Sequence, residues 1–223
     1  MEKTKKNDFI EIEFIGRVKD GEIFDTNIKE QAKKINLNID TKPFIICIGQ
    51  SMVIPGFDKA LEGKEINKKY KIEISPEQAF GKRNSSLVKL MPLKVFTEKN
   101  IQPRPGMTLA LDNLLVKIIT VSGGRVLADF NIPLAGKIII YEFKIKRKIE
   151  DINEKVNTLM NFFLKQKFEF EIKQNEKTKE KELIIKAPKE LGPLIELSKT
   201  KFKDILGMEV IIKEKKTEKK QEK

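Results

Sequence analysis

GQSMVIPGFDKALEG, residues Gly49–Gly63, places an apolar run from Met52 to Phe57 in a chain that is 35% charged. The run is far too short to span a bilayer, and Pro55-Gly56 breaks it too early for a strand. Phe57, Ala60 and Leu61 then recur on one helical face, and Gly63 reads as the residue that ends the helix. A greasy corner leading into a short helix needs something to cover it or fill it.

The flanks supply strands. Upstream, PFIICI (Pro43–Ile48) is a compact apolar strand. Before it, DFIEIEFIGRVK (Asp8–Lys19) alternates Phe9, Glu11 and Glu13 against Ile10, Ile12 and Phe14, which predicts a strand with one wet face. Asp20-Gly21 turns it back into Glu22–Asp25 as a hairpin. Residues 26–41 are polar and read as a loop with a short helical turn. Downstream, KYKIEIS (Lys69–Ser75) alternates again and SPEQAFG ends at Gly81. Further on, LLVKIITV, the turn Ser122-Gly123-Gly124 and RVLADF form a second hairpin, and KIIIYEFKIKR (Lys137–Arg147) has the continuous apolar character of a central strand. From Glu150 the spacing of Ile152, Val156, Leu159 and Phe163 predicts a helix. Two strands, an amphipathic helix over 189–206 ending before Gly207, and a last strand at Met208–Lys213 follow. Residues 216–223 of the tail EKKTEKKQEK are too polar to bury anything and read as a disordered basic tail.

Composition narrows the function. The 223 residues carry a formal charge of +12, yet arginine appears only at Arg17, Arg83, Arg104, Arg125 and Arg147. Lysine spread among glutamates is first a solvated surface, with a field that also attracts acidic chains. There is no histidine, and Cys47 is the lone cysteine. That argues against imidazole acid–base chemistry, internal disulfides and thiolate or imidazole metal sites, so no metal and no cofactor is expected. Cys47 itself, in PFIICIG, reads as a buried structural thiol. With no apolar run of about 18 residues and no secretory h-region, a cytoplasmic protein with no membrane partner is expected.

The segments GRVKDGEIFDTN, PFIICIGQSMVIPGFDKALEG, ISPEQAFG and PLAGKIIIYEF, in that order, resemble the FKBP family of peptidyl-prolyl cis/trans isomerases, closest to its SlyD-like branch with the archaeal members. The resemblance covers most of residues 8–81 and 133–147. It implies an α+β fold: an antiparallel sheet wrapped on a short helix (1–83 plus 132–149), interrupted by a small mainly-β insert-in-flap domain (84–131). In the branch's long archaeal members a further domain follows, here a small α+β module at 150–215 that could pack alone. NIPLAG departs from the branch's usual NHPLAG at Ile132.

By that resemblance the catalytic pocket is formed by Phe14, Phe24, Asp25, Phe44, Val53, Ile54, Phe57, Phe80 and Tyr141. Phe57 floors it; Phe24 and Phe44 grip the proline ring with it. Val53 and Ile54 line the lip, the Ile54 N–H facing a substrate carbonyl, and Asp25 orients the twisting amide. Taken singly, each phenylalanine would be ordinary core and Asp25 a solvated loop carboxylate; the ordered set overturns that. X-Pro isomerisation moves no proton and makes no covalent bond, so a chain without histidine can catalyse it by favouring the twisted, less polar amide in an apolar site. Phe14 and Phe80 stand where well-known members often have tyrosine, which removes a hydrogen bond worth about 1 kcal/mol. In the insert, Leu90, Met91, Leu93, Val95, Phe96 and Met107 exceed what so small a domain can hide and are expected to hold substrate chains.

The implied function is a prolyl isomerase with chaperone activity; its partners are unfolded or proline-containing polypeptides, ribosome-associated nascent chains, and a second copy docked through the C-terminal module at Phe162, Phe163 or the 189–206 helix. The competing readings are a holdase with a vestigial pocket and a factor that uses its basic surface on RNA or the ribosome.

Overall fold

The computed structural model describes residues 2–38, 43–176 and 179–214. The alternating N-terminal stretch forms β1 (Phe9–Val18), and Asp20, in the left-handed region at φ 57°, turns it into β2 (Ile23–Thr26). The polar loop contains α1 (Lys29–Lys34), and its residues 39–42 lie outside the described residues. Then come β3 (Ile45–Cys47), α2 (Pro55–Ala60) and β4 (Lys69–Ile74). The chain leaves this domain for β5 (Val88–Pro92), α3 (Lys94–Thr97), β6 (Thr108–Leu111), β7 (Leu114–Ser122) and β8 (Arg125–Asp129). It returns as β9 (Ile139–Lys148).

The return explains the discontinuity. β9 lies between β1 and β4 in the order β2-β1-β9-β4, with β3 also pairing β1, so the first sheet is incomplete until the insert has been traversed. All these pairings are antiparallel. α2 packs on this sheet. Pro55 begins it, where a missing N–H costs nothing. Gly56 lets it approach β4: a Cβ there would stand 2.3 Å from Ile74 Cγ2. Phe57 and Leu61 are fully buried with Ile10, Ile12, Ile139 and Ile145, each such side chain contributing about 1.5–3 kcal/mol of burial. Gly63 does have positive φ (73°), but it is not the cap of α2: Leu61 closes the helix, and the Gly63 N–H donates to Thr4 O at 2.8 Å.

The insert is a second antiparallel sheet, β5-β8-β7-β6. Gly123 and Gly124 make the tight β7–β8 turn with φ of 56° and 71°, the conformation a two-residue hairpin loop requires. Its own core gathers Phe96, Leu109, Leu111, Val116, Ile118, Val126 and Ala128. Where the two crossings of the chain meet, Arg83 Nη2 donates to Asp129 Oδ2 at 2.6 Å, Asn131 Nδ2 to Asn84 O at 2.9 Å, and the Gly136 N–H to Gly81 O at 2.8 Å.

The C-terminal module comprises α4 (Ile152–Leu159), a single π-helical turn (Met160–Leu164), β10 (Glu169–Gln174), β11 (Lys181–Ala187), α5 (Gly192–Leu206) and β12 (Glu209–Glu214). β10 and β11 are antiparallel, and α5 carries the chain over to a parallel β12. Gly207, at φ 67°, ends α5. Contrary to the expectation of a module that packs alone, its core takes in Phe9, Cys47 and Ile149 of the first domain beside Val156, Leu159, Met160, Leu183 and Phe202. The wet face expected of β1 is therefore covered at its start: Phe9 is 2% exposed. Arg147 binds both sides, donating to Glu11 Oε2 at 2.7 Å and to the Glu154 carboxylate at 2.8 and 3.2 Å. Residues 215–223, with the tail expected to be disordered, lie outside the described residues. Among the described residues no helix is long and apolar enough to cross a membrane.

Candidate functional site

Four elements aim rings at one point. Phe57 of α2 and Tyr141 of β9 stack at 4.3 Å with 14° between their planes. Phe14 of β1 stands edge-on to Phe57 at 5.9 Å and tilted to Tyr141 at 5.8 Å, with Phe44 a further 5.5 Å from it. Phe24 of β2 meets Tyr141 at 6.2 Å and Phe80, from the loop after β4, at 5.7 Å. Val53 and Ile54 pack half-buried against the same cluster. The structure thus brings the eight expected aromatic and aliphatic residues together, with Asp25 beside Phe24 at the rim.

Residues that sequence reasoning passed over make this bowl possible. Gly16 faces Tyr141 across the β1–β9 ladder, and a Cβ on it would lie 2.9 Å from Tyr141 Cε1 and 3.1 Å from Phe24 Cζ. Both rings lean over bare backbone there. Thr26 and Asn27 anchor the chain after Asp25. The Thr26 hydroxyl donates to Phe14 O at 2.7 Å, and the Asn27 side chain accepts from Phe14 N at 2.8 Å and donates to Ile12 O at 2.7 Å, standing in for a missing strand. Asp58, 6% exposed, accepts from the N–H groups of Gly49 (2.8 Å) and Ser51 (2.9 Å) and so fixes the loop leading to Val53 and Ile54. The signal for Asp58 was available: a carboxylate one residue after the buried Phe57 must find donors.

Burial pushes the Asp25 carboxyl above its ordinary range, against a backbone hydrogen bond at Thr26 that favours the anion. Burial, and secondarily the Asp25 charge, pushes the Tyr141 phenol up, so it stays neutral at physiological pH. Cys47 belongs to the other core; burial first, then Asp58 and Asp8, pushes its thiol up to about 12. It supplies no thiolate nucleophile. The bowl offers apolar and aromatic walls with one half-buried carboxylate at the lip. That suits an apolar ring and an amide losing its planarity, and it provides no histidine base or activated nucleophile.

The insert residues divide. Leu90 is 59% and Met107 39% exposed, while Met91, Leu93 and Val95 pack half-buried on the insert's own core. Phe96 corrects the expectation that it meets substrate: it is 0% exposed and closes that core. Leu114, Leu115 and Ile132, which were not singled out for this role, are 56%, 52% and 61% exposed. Leu115 and Ile132 line a hollow of about 680 Å³ between the insert and the first domain.

Residues 1–97 match a family model described as FKBP-type peptidyl-prolyl cis-trans isomerase, and residues 89–134 match one described as the FKBP26 IF domain. A short-type peptidyl-prolyl cis-trans isomerase of Methanocaldococcus jannaschii is 31% identical over 145 residues, 64% of this chain and 92% of that protein. The FKBP-type isomerase SlyD of Helicobacter pylori is 29% identical over 135 residues, covering 57% of this chain and 72% of the relative. A probable FKBP-type 16 kDa isomerase of Pseudomonas fluorescens is 29% identical over 129 residues, covering 52% and 79%. With an aromatic bowl assembled from the segments these matches span, the chain belongs to the FKBP-type peptidyl-prolyl cis-trans isomerases and is an isomerase of the FKBP/SlyD type.

Proposed function

We propose that the insert holds unfolded and nascent polypeptides in the cytoplasm and presents their X-Pro bonds to the aromatic bowl. In the bowl, Phe24, Phe44 and Phe57 grip the proline ring, Asp25 orients the twisting amide, and the Ile54 N–H receives a substrate carbonyl. The observation that carries the holding role is apolar surface in excess of a completed core. Phe96 and its neighbours already close the insert, yet Leu90, Met107, Leu114, Leu115 and Ile132 face solvent. Strand alternation supports a shared face: Leu90 pairs Leu127 and Leu115 pairs Ala110, on the side away from Val116, Ile118, Val126 and Ala128. A chain held there raises the effective concentration of prolyl bonds at the bowl.

The test compares proline-limited refolding of a model protein with turnover of a short prolyl peptide. For Leu90→Ser/Leu115→Ser, the ratio of refolding acceleration to peptide kcat/KM is expected to fall at least about tenfold. An unchanged ratio overturns the holding role.

A further inference from the structure

We infer that the cleft between the aromatic bowl and α4 is a second binding segment for the same substrate chain: residues flanking the proline run along it, and Lys165 and Lys167 in its lining select acidic side chains. The inference rests on the reading that the bowl takes the proline ring. The cleft holds about 690 Å³, within the range of sites that enclose several peptide-sized groups. Phe14, Asp25 and Phe44 line both bowl and cleft, so a chain leaving the bowl on this side enters it without crossing solvent. The rest of the lining comes from the C-terminal module: Asn157, Asn161 and Phe162 on its first helix, and Lys165 and Lys167 just after that helix ends.

This wall is not a loosely tethered neighbour. α4 shares a dry core with Phe9, Cys47 and Ile149, and the Arg147 fork joins Glu154 to Glu11 on β1. The π-helical turn shapes it. Met160 and Leu164 are buried in the core while Asn161 remains exposed and Phe162 half-buried on the cleft. Such wide turns recur at functional sites, and this one is the last turn of its helix, closed by Lys165 at φ 58°. The Asn157 Nδ2 already donates to Asn153 O at 2.8 Å, so its Oδ1 and the Asn161 amide one turn on are what remain to meet an extended backbone, and Phe162 adds an apolar step, its ring 5.0 Å from Lys165 Nζ.

Charge decides the preference. Glu154 is the one acid that the module contributes to the lining, and Arg147 already neutralises it. Lys165 and Lys167 are exposed and, among the described residues, in no ion pair. An acidic side chain a few residues from the proline would meet two ammonium groups that no carboxylate neutralises, one of them resting over the Phe162 ring.

The experiment uses the full chain and two octapeptides with a central Ala-Pro, one carrying Glu and one Lys at the positions three residues either side. Isomerisation is followed by exchange NMR and binding by the shifts of the Asn157 and Asn161 side-chain amides. At low salt kcat/KM is expected to favour the Glu peptide about threefold, the scale of two exposed charge pairs, with the advantage fading at about 0.5 M salt. In Lys165→Glu/Lys167→Glu the order of the two peptides reverses, and in Phe162→Ala the amide shifts shrink. Equal kcat/KM for both peptides, or amides that do not shift, overturns the proposal. If neither peptide is isomerised, the reading of the bowl fails, and the amide shifts and their charge preference still decide the cleft.

Discussion

Replacing Gly16 by alanine sets two opposed effects against each other at the floor of the bowl. Gly16 sits in a strand without positive φ, so alanine fits the backbone and reduces the freedom of the unfolded chain, a gain of about 0.4–1 kcal/mol. Its new Cβ, however, would stand 2.9 Å from Tyr141 Cε1 and 3.1 Å from both Tyr141 Cζ and Phe24 Cζ. These are ring atoms wedged among Phe57, Phe14 and Phe80, not flexible ends, and overpacking of that kind costs about 1–3 kcal/mol. The clash wins, and a net loss of about 1–2 kcal/mol lowers Tm by about 2–8 °C in a chain of this size. The rings displaced are those of the site, so kcat/KM on a prolyl peptide should fall about tenfold as they shift within it. Calorimetric melts and peptide turnover on the variant and the parent settle the matter. A Gly16→Ala protein as stable and as active as the parent would refute the account of the bowl as rings resting on bare backbone.

Asp25→Asn should stabilise the protein at neutral pH while slowing isomerisation. Burial raises the Asp25 pKa, so the cost is absent where both states are protonated and appears as pH rises through the raised folded value. A melt series from pH 3 to 7 should show the Asn variant gaining only toward the neutral end, and a gain at pH 3 would contradict it. Asp58→Ala leaves the Gly49 and Ser51 N–H groups without their carboxylate, a loss of about 1.5–3 kcal/mol per charged hydrogen bond, less what water recovers. Faster amide exchange at both residues, with a raised KM, is the expected signature. In the C-terminal module, α5 exposes Leu194 and Leu197 at 40% and 83%, the face through which we expect a second copy to dock, because Phe163 is already packed against Phe202. Light scattering should then give twice 25.7 kDa for the parent and 25.7 kDa for Leu197→Glu, and a monomeric parent would end the idea.

The sequence was most legible where periodicity and punctuation agree. Asp20-Gly21, Gly123-Gly124 and Gly207 mark turns that the backbone makes with left-handed residues at those places or beside them. Pro55 marks the start of α2. Long-range matters were less legible. Phe9 looked solvent-facing because alternation sees only its own strand, and the module that covers it begins more than a hundred residues later. Phe96, expected to meet substrate, is buried, and Leu115, not singled out, is exposed, for a similar reason. Apolar character is the same inside and outside a small sheet, and only the register of β5 to β8 says which face is covered. Gly16 and Asp58 escape for a different cause, since their contribution lies in what they leave empty or cap.

The discontinuous sheet ties these features into one device. β9 contributes Tyr141 to the bowl, and the chain reaches it only after the whole insert, across the junction where the Gly136 N–H donates to Gly81 O. Closing a loop of that length has a modest entropic cost that grows only slowly with its length, so a folded insert of this size adds little penalty. What the junction must supply instead is orientation. Arg83 and Asn131 both hold the Asp129 carboxylate, and hydrogen bonding and the guanidinium charge outweigh desolvation to keep its pKa low. Phe80, which touches Phe24 in the bowl, is one residue before the Gly81 carbonyl that the Gly136 N–H holds. Any swing of the insert about this junction therefore acts within one residue of a ring that walls the site. If the insert holds chains as proposed, a held chain and a proline seated in the bowl would be coupled through this backbone, and stiffening the junction should alter refolding catalysis more than turnover of a free peptide.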